Sequence, residues 1–550
     1  HNMWSETAPE AELSTALSAA TVSNKQRKRD ARKAEKAAKR EQQKPAAEDP
    51  SPEKEQKPSA EDDPSAGNYG DVLPVPGEIL PAAVPDGPWA EIGHLDRASV
   101  GRSVLVRATA QAAYCGSKTK KVAFLELRQG MSTVQCVLAG SAQMALFALS
   151  LPKESVVFVE GAVALLDKPL RYTTVQEVEI QVRKLYCVSR AKPKLPISVE
   201  DAGRSSEEFA MAEANGVQLP RVGQDTRLNH PAINLRTPAV QAIFRIKHQI
   251  EHKFREYLSS RDFIGIHTPK LISGSSEGGA AVFKLEYKNG KTACLAQSPQ
   301  LHKQMAICGG LRRVFEVGHI FRAEDSNTHR HLCEFVGMDA EMEIMRHYFE
   351  VCDIVDGFFV ELFRHLNENC RTALEAVNRQ YPFEPLKYLE NTLRLSYEEG
   401  IQMLKEAGTE VEPMGDLNTE AERKLGQLVR EKYDTDFFIL YRYPLAARPF
   451  YTMPCYENPA YSNSFDVFLR GEEIISGAQR IHEPELLAKR VAEHGIDKNS
   501  IKSYLESFSY GTPPHGGFGI GLERVVKLFC GLDDIRMASL FPRDPQRLSP

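Results

Sequence analysis

Hydrophobic and polar positions change period twice along the chain. Between residues 88 and 190 they alternate in short runs: Ser103–Arg107, Val122–Arg128, Thr133–Leu138, Ser155–Gly161 and Val178–Leu185. A period of two turns one face of each run toward a core. Five such runs with turns between them predict a small closed β-barrel of the OB type. From residue 238 the period lengthens. Ile243, Ile246, Ile250, Phe254 and Leu258 recur at steps of three and four, which predicts an amphipathic helix over 238–260. Strands are predicted beyond it at 281–287, 314–321, 333–341, 436–441 and 464–471, with long helices at 341–369 and 421–432. This order lacks regular βαβ repeats. It predicts an α+β domain, an antiparallel sheet flanked by helices.

The first seventy residues follow neither period. Residues 25–44 hold ten Lys/Arg against Asp30, Glu35 and Glu41, with only Ala31, Ala34, Ala37 and Ala38 as apolar content. Their composition favours a helix, marginal alone, that folds against a polyanion such as RNA. Residues 46–64 are rich in Pro, Glu, Lys, Ser and Asp, and read as a disordered linker. The expected organisation is a basic extension over 1–70, a barrel domain over 71–190 with the barrel from about 88, a hinge over 191–228, and a large domain over 229–550.

Composition adds limits. The chain has 550 residues, 42% of them hydrophobic, enough for two or three domains with cores of their own. The net charge of −5 masks the local basic block, so it does not argue against nucleic acid. No apolar run approaches a membrane span, and no signal-peptide core is expected. His1 and Asn2 precede Met3 and read as a cloning scar. The ten cysteines are scattered without a C-x-x-C pair, which fits a reducing, cytosolic compartment.

Two segments carry the candidate chemistry. FRAEDSNTHRH, residues 321–331, follows an apolar strand and opens a predicted hairpin that runs on through Phe335. GIGLER, residues 519–524, lies near the C-terminus. Neither contains a P-loop or G-x-G-x-x-G, so a nucleotide would be held by side chains. Arg322 and Arg524 offer fixed charge and forked donors to phosphate. Phe335 offers an aromatic face to a base. A surface ion pair between Arg322 and Glu324 is the bland alternative. Glu472 and Glu473 follow an apolar strand and would suit Mg²⁺, which prefers oxygen ligands; a solvated acidic turn is the alternative. Lys303, Arg480 and Asp339 would supply two cations and one anion to a small acidic substrate, with Gln300 as a neutral polar contact. His329-x-His331 lacks further ligands at a suitable spacing, so zinc is not expected. Phe124 would stack a base on the barrel and Gln135 would read a base edge. Alternation alone would equally bury Phe124 in the barrel core.

These residues resemble the class II aminoacyl-tRNA synthetases of the aspartyl/asparaginyl/lysyl subgroup, and within it the eukaryotic-type cytosolic aspartyl branch. The resemblance covers residues from about 88 to 550. Helix 238–260, FRAEDSNTHRH and GIGLER are similar to the family's three ordered motifs. The resemblance implies a homodimer, a six-stranded antiparallel sheet in the catalytic domain and an N-terminal OB barrel that reads the anticodon. It implies ATP as a substrate contacted by Arg322, Glu324, His331, Phe335, Glu473 and Arg524, with Arg322 at the α-phosphate, Phe335 at adenine and Arg524 at the γ-phosphate. Glu473 and Ser476 fall on Mg²⁺-associated positions. Gln300, Lys303, Asp339 and Arg480 fall on aspartate-recognition positions, and Glu277 lies in the lid-like loop Ser276–Gly279. Phe124 and Gln135 fall on anticodon positions. The segment 112–118 departs from the family pattern: it is longer and lacks an arginine.

The activity implied is ATP-dependent ligation of L-aspartate to tRNA(Asp) through an aspartyl-adenylate. An asparaginyl enzyme of the same subgroup is one alternative, opposed by Lys303 and by a pairing of His329 with Asp339. A catalytically inactive RNA-binding paralogue is the other, opposed by the joint presence of Arg322, Glu473 and Arg524. The extension is expected to bind tRNA through phosphates, with contact to a multi-synthetase assembly or another protein as the alternative. The apolar stripe of 243–258 is expected to need a partner surface across a two-fold axis.

Overall fold

A computed structural model describes residues 63–72, 89–116, 121–274 and 282–550. The basic segment 25–44, most of the 46–64 linker, residues 117 and 118 of the divergent loop, and the Ser276–Gly279 loop with Glu277 lie outside these. The chain divides after Pro64 into two compact units, and all described residues except 63 and 64 belong to the second, Ser65–Pro550.

The barrel is built from β1 (Tyr69–Asp71), β2 (Ser103–Cys115), β3 (Ala123–Gln129), β4 (Ser132–Leu138), β5 (Ser155–Leu165) and β6 (Val178–Ser189). The order β1-β6-β4-β3-β2-β5 closes on itself because β5 also pairs with β6. Closure removes the open edges that a five-stranded sheet would expose. Alternate residues such as Val106, Leu125, Leu127, Val134, Val159 and Ile180 fill the interior. A helix absent from the periodicity reading, Ala142–Ser150, plugs one end. Ser141 caps it by accepting from the Met144 backbone N–H, and Met144, Ala145 and Ala148 enter the barrel core.

The large domain carries β7 (Ile264–Gly265), β8 (Leu271–Ile272), β9 (Lys284–Tyr287), β10 (Lys291–Leu295), β11 (Arg313–Phe321) and β12 (Glu334–Glu343). It continues with β13 (Leu393–Ser396), β14 (Phe437–Tyr441), β15 (Ser464–Leu469), β16 (Glu472–Gln479) and β17 (His515–Gly521). Among the described residues the main sheet has the order β13-β14-β15-β16-β17-β12-β11-β7. Its central run from β14 to β11 is antiparallel throughout, and β13 and β7 add parallel edges. A small sheet β8-β10-β9 stands beside it.

The helix Pro238–Ser259 starts on a proline at its first turn, where the missing N–H costs nothing. Its stripe Ile243, Ile246, Ile250, Phe254 and Leu258 is completely buried within the chain. Phe254 meets Phe315 and Phe358 edge-on, at 6.0 and 5.3 Å between ring centroids. Each such side chain contributes roughly 1.5–3 kcal/mol on burial. The stripe therefore already has its partner, and the expectation that it needs a second chain is corrected.

The predicted helix 341–369 is also corrected. Residues 341–343 complete β12, and the helix runs from Phe349 to Asn369. The turn between them is held by Glu350, whose carboxylate accepts from the backbone N–H groups of Met345, Arg346 and His347. The helix predicted at 421–432 spans Thr419–Tyr433, capped by Asn418. The hinge 191–228 contains the short helices Val199–Ala202 and Ser206–Ala214 and the start of Gln224–Asn229.

Candidate active site

Strands β11, β12, β17 and β16 border a cavity of about 320 Å³. Gln300, Arg322, Glu324, His331, Phe335, Asp339, Glu473, Ser476, Arg480 and Arg524, all picked out in the sequence, line it together. They come from β12 and β16, from the segments that follow β11, β16 and β17, and from the start of the helix Gln300–Cys308, so elements far apart in sequence supply one site.

The β11–β12 hairpin forms one wall. Its register pairs Ile320 with Phe335 and Phe321 with Glu334, and the Arg322 N–H donates to the Cys333 carbonyl at 2.9 Å. Arg322 leaves the strand with its guanidinium carbon 5.6 Å from the centre of the Phe335 ring. Among the described residues no carboxylate pairs with it, Glu324 included, and its buried Nε has no hydrogen-bond partner. Arg322 is half-buried, and a guanidinium left there without a counter-ion is poised for an anion. His331 is held by Thr328 at 2.6 Å, and burial, then Arg524, keeps its pKa below the ordinary imidazole value. His329 contacts Arg423 at 3.0 Å, so the expected pairing with Asp339 does not form.

Strand β17 forms the floor between β12 and β16. A Cβ at Gly517 would lie 2.1 Å from the Ala340 carbonyl oxygen, and one at Gly519 would lie 3.0 Å from Asp339 Oδ1. The glycines thus let the sheet close and leave room for the Asp339 carboxylate. Arg524 follows in the helix Leu522–Phe529 and donates from Nη1 to the Glu473 carbonyl at 2.9 Å.

Glu472 and Glu473 point to opposite faces of β16, as alternation requires. Glu472 turns from the cavity to Lys527 (3.0 Å), Arg423 (3.1 Å) and Arg330 (3.4 Å), so it is not paired with Glu473 around an ion. Glu473 faces the cavity. Burial, then the neighbouring Asp466, raises its carboxyl to about 8. Ser476 is exposed and its hydroxyl accepts from Arg448 at 3.0 Å.

The other end of the cavity is paired internally. Arg480 grips Glu341 through Nε and Nη2 at 2.9 and 3.3 Å. Lys303 lies beneath the lining, 2% exposed, with its ammonium 3.1 Å from Asp339, 3.3 Å from Glu341, and donating to the carbonyls of Ala340 and Phe518. Burial works against ionisation of Glu341, but Arg480 and Lys303 outweigh it and hold the carboxyl below the usual range. Glu341 was not picked out in the sequence. Its signal was Asp339-x-Glu341-x-Glu343, three carboxylates at alternate positions on one face of a strand. Arg448 was also missed; it forms a forked pair with Asp466 at 2.9 and 2.7 Å beneath the ring of Tyr443.

The site can take an oxygen-seeking cation. Glu473 offers a carboxyl that forms no salt bridge among the described residues, and Ser476 a hydroxyl, both on the cavity wall. Among the described residues no group of three or more His, Cys, Asp or Glu could hold a metal unaided. That donor set suits Mg²⁺, which draws its other ligands from phosphate and water.

On the barrel, Phe124 lies outside the core. Its ring stacks on Tyr114, the cross-strand neighbour, at 5.5 Å and 24°. Gln135 is buried at the same face, donating to Glu179 at 2.6 Å and accepting from the hydroxyls of Tyr114 and Tyr172.

The sequence pattern of the family described as tRNA synthetases class II (D, K and N) matches residues 223–545. The chain is 58% identical over 503 residues to aspartate–tRNA ligase 2, cytoplasmic, of Arabidopsis thaliana, covering 89% of each. Its fold is similar to the aspartyl tRNA synthetase from Entamoeba histolytica, with a TM-score of 0.81 and 42% identity over 88% of this chain and 96% of that one. It is also similar to asparaginyl-tRNA synthetase from Pyrococcus horikoshii complexed with asparaginyl-adenylate, with a TM-score of 0.72 and 29% identity over 84% of this chain and 100% of that one.

Proposed function

This chain belongs to the class II tRNA synthetases of the D, K and N group, and we propose that it joins L-aspartate to the 3′ end of tRNA(Asp), using ATP, through an aspartyl-adenylate. The observation that carries this reading is the unpaired guanidinium of Arg322 beside Phe335, in one cavity with Asp339 and Arg480.

In the first step an α-carboxylate oxygen of aspartate bonds to the α-phosphorus of ATP and the bond to pyrophosphate breaks. No proton need move. Arg322 holds the α-phosphate and offsets the charge that grows on its oxygens. Phe335 stacks on adenine, Arg524 takes the γ-phosphate, and Glu324 and His331 complete the nucleotide contacts. Asp339 receives the α-ammonium, and Gln300 adds a neutral contact. Arg480 keeps Nη1 clear of Glu341 for the side-chain carboxylate, while Lys303 supports that end from below. Glu277 would belong to a loop over the amino acid. Glu473 and Ser476 would hold Mg²⁺, which neutralises phosphate charge when bound. Catalysis here is positioning plus charge stabilisation. In the second step a hydroxyl of the terminal ribose attacks the mixed anhydride and releases AMP.

The barrel would carry the anticodon, with Phe124 as platform beside Tyr114 and Gln135 at a base edge. The basic extension would add salt-dependent phosphate contacts; deleting residues 3–70 is expected to weaken tRNA binding and flatten its salt dependence in filter assays. A homodimer would use the open edge at β7, where Ile264 is 49% exposed, and sedimentation reads its mass. A cytoplasmic location fits ten cysteines that are all free. Amino-acid-dependent pyrophosphate exchange tests the whole reading. Aspartate should support exchange and asparagine should not; equal rates would overturn the assignment.

A further inference from the structure

Behind the amino-acid end of the cavity lies a chain of neutral hydrogen bonds that the mechanism does not use. It begins at the Pro513 carbonyl, just before β17. His515 Nδ1 lies 2.9 Å from that oxygen, and His515 Nε2 lies 3.0 Å from Gln304 Nε2. Gln304 Oε1 lies 3.1 Å from the Tyr504 hydroxyl and 2.9 Å from Gln300 Nε2. Gln300 and Gln304 stand one turn apart on the helix Gln300–Cys308, and Tyr504 comes from the helix Lys502–Phe508. His515 and Gln304 are wholly buried, Tyr504 and Gln300 nearly so.

The direction of each bond follows from the first. A carbonyl oxygen only accepts, so the proton sits on His515 Nδ1. Burial holds the imidazole neutral, opposed by Glu341 and assisted by Arg480 and His482. His515 Nε2 is then an acceptor, and the facing Gln304 nitrogen is the donor. The other end of the Gln304 amide is left as an acceptor for Tyr504 and for the Gln300 amide nitrogen. Gln300 thereby spends its donor inward. Its oxygen is the end that remains for the cavity that Gln300 lines. An oxygen there accepts from an ammonium; a reversed amide would present N–H groups to it.

We propose that His515, Gln304 and Tyr504 are positioning residues that fix the polarity of Gln300, so that the site offers an acceptor to the α-ammonium of the bound amino acid. The inference rests on the amino-acid reading of this end of the cavity. It ties recognition of the ammonium to a histidine tautomer set further along the same face of the sheet.

The test is pyrophosphate exchange by the full chain, with KM measured separately for aspartate and for ATP. His515→Leu removes the acceptor and should raise KM for aspartate about tenfold while KM for ATP stays within about twofold. His515→Gln keeps an acceptor near the Nε2 position and should recover most of the loss. Tyr504→Phe removes one donor without opening the core and should raise KM for aspartate about threefold, again without moving KM for ATP. If His515→Leu fails to fold, the Tyr504→Phe split decides. Both constants moving together, neither moving, or no recovery by His515→Gln would overturn the proposal. If the wild-type chain exchanges with a different amino acid, the aspartate assignment fails, and the same split for that amino acid still tests the relay.

Discussion

At one end of the cavity Lys303 and Arg480 are matched by Asp339 and Glu341; at the other, Arg322 and Arg524 form no salt bridge with Glu473. The first end has neutralised itself before any ligand arrives. Its geometry is set by ion pairs that folding has already desolvated, so a small zwitterion enters a prepared lattice of charge. The second end keeps its charge unspent, with a buried Arg322 nitrogen lacking a partner. That end suits a polyanion that brings its own compensation. Two glutamates record the contrast. Glu341 is held low by neighbouring cations, and Glu473 is driven up by burial and Asp466.

The sharpest way to break this comparison is to unbalance the paired end. Glu341→Gln takes from Arg480 its carboxylate partner and leaves Lys303 with Asp339. Removing one partner from a buried ion-pair network typically costs about 3–5 kcal/mol. Urea unfolding should show a loss of that order, with aspartate-dependent exchange falling in parallel. A loss below about 1 kcal/mol, the level of a surface pair, would mean that this end is not held together by its charges.

At the unspent end the same kind of change should spare the fold. Arg322→Ala removes a cation that, among the described residues, makes no ion pair and lies against Phe335. Adenylate formation should fall by about 3 kcal/mol or more of transition-state stabilisation, upward of roughly a hundredfold. The unfolding midpoint should stay at or above that of the wild type. Near-normal exchange would show that the nucleotide sits elsewhere.

The two ends were unequally legible in the sequence. Arg322, Phe335 and Arg524 lie in short segments whose residue types carry their own rationale. Glu341 did not stand out because its partner Arg480 is 139 positions away and only the β12–β17–β16 register brings them together. Lys303 was legible as a candidate cation, but its burial beneath the lining and its pairing with Asp339 and Glu341 were not. Periodicity found β11, β12, β14, β15 and the helix Pro238–Ser259, but not the central strands β16 and β17, nor what that helix packs against. The barrel helix Ala142–Ser150 was readable from Ser141 as a cap and the spacing of Met144, Ala145 and Ala148. The early start assigned to the helix Phe349–Asn369 took in the end of β12, from which no proline or glycine separates the helix.

The finest separation of the two ends is by pH. In the folded chain Glu473 holds its proton up to about 8, whereas the unfolded chain releases it near 4.5. Between those values the folded state binds more protons, so this residue's contribution to stability falls as pH rises, and it is constant outside that window. Glu341 has the opposite sign. Its stabilising contribution is present above the ordinary carboxylate range and is lost as pH falls through its lowered folded value, so it is silent between pH 6 and 8. With chelator present, the urea midpoint of the wild type should therefore fall more steeply from pH 6 to 8 than that of Glu473→Gln, which cannot titrate there. Added Mg²⁺ requires the ionised carboxylate, so its stabilising effect should grow over the same interval and be much smaller in the variant. Equal slopes and equal Mg²⁺ responses in the two proteins would place the open charge of this end on a residue other than Glu473.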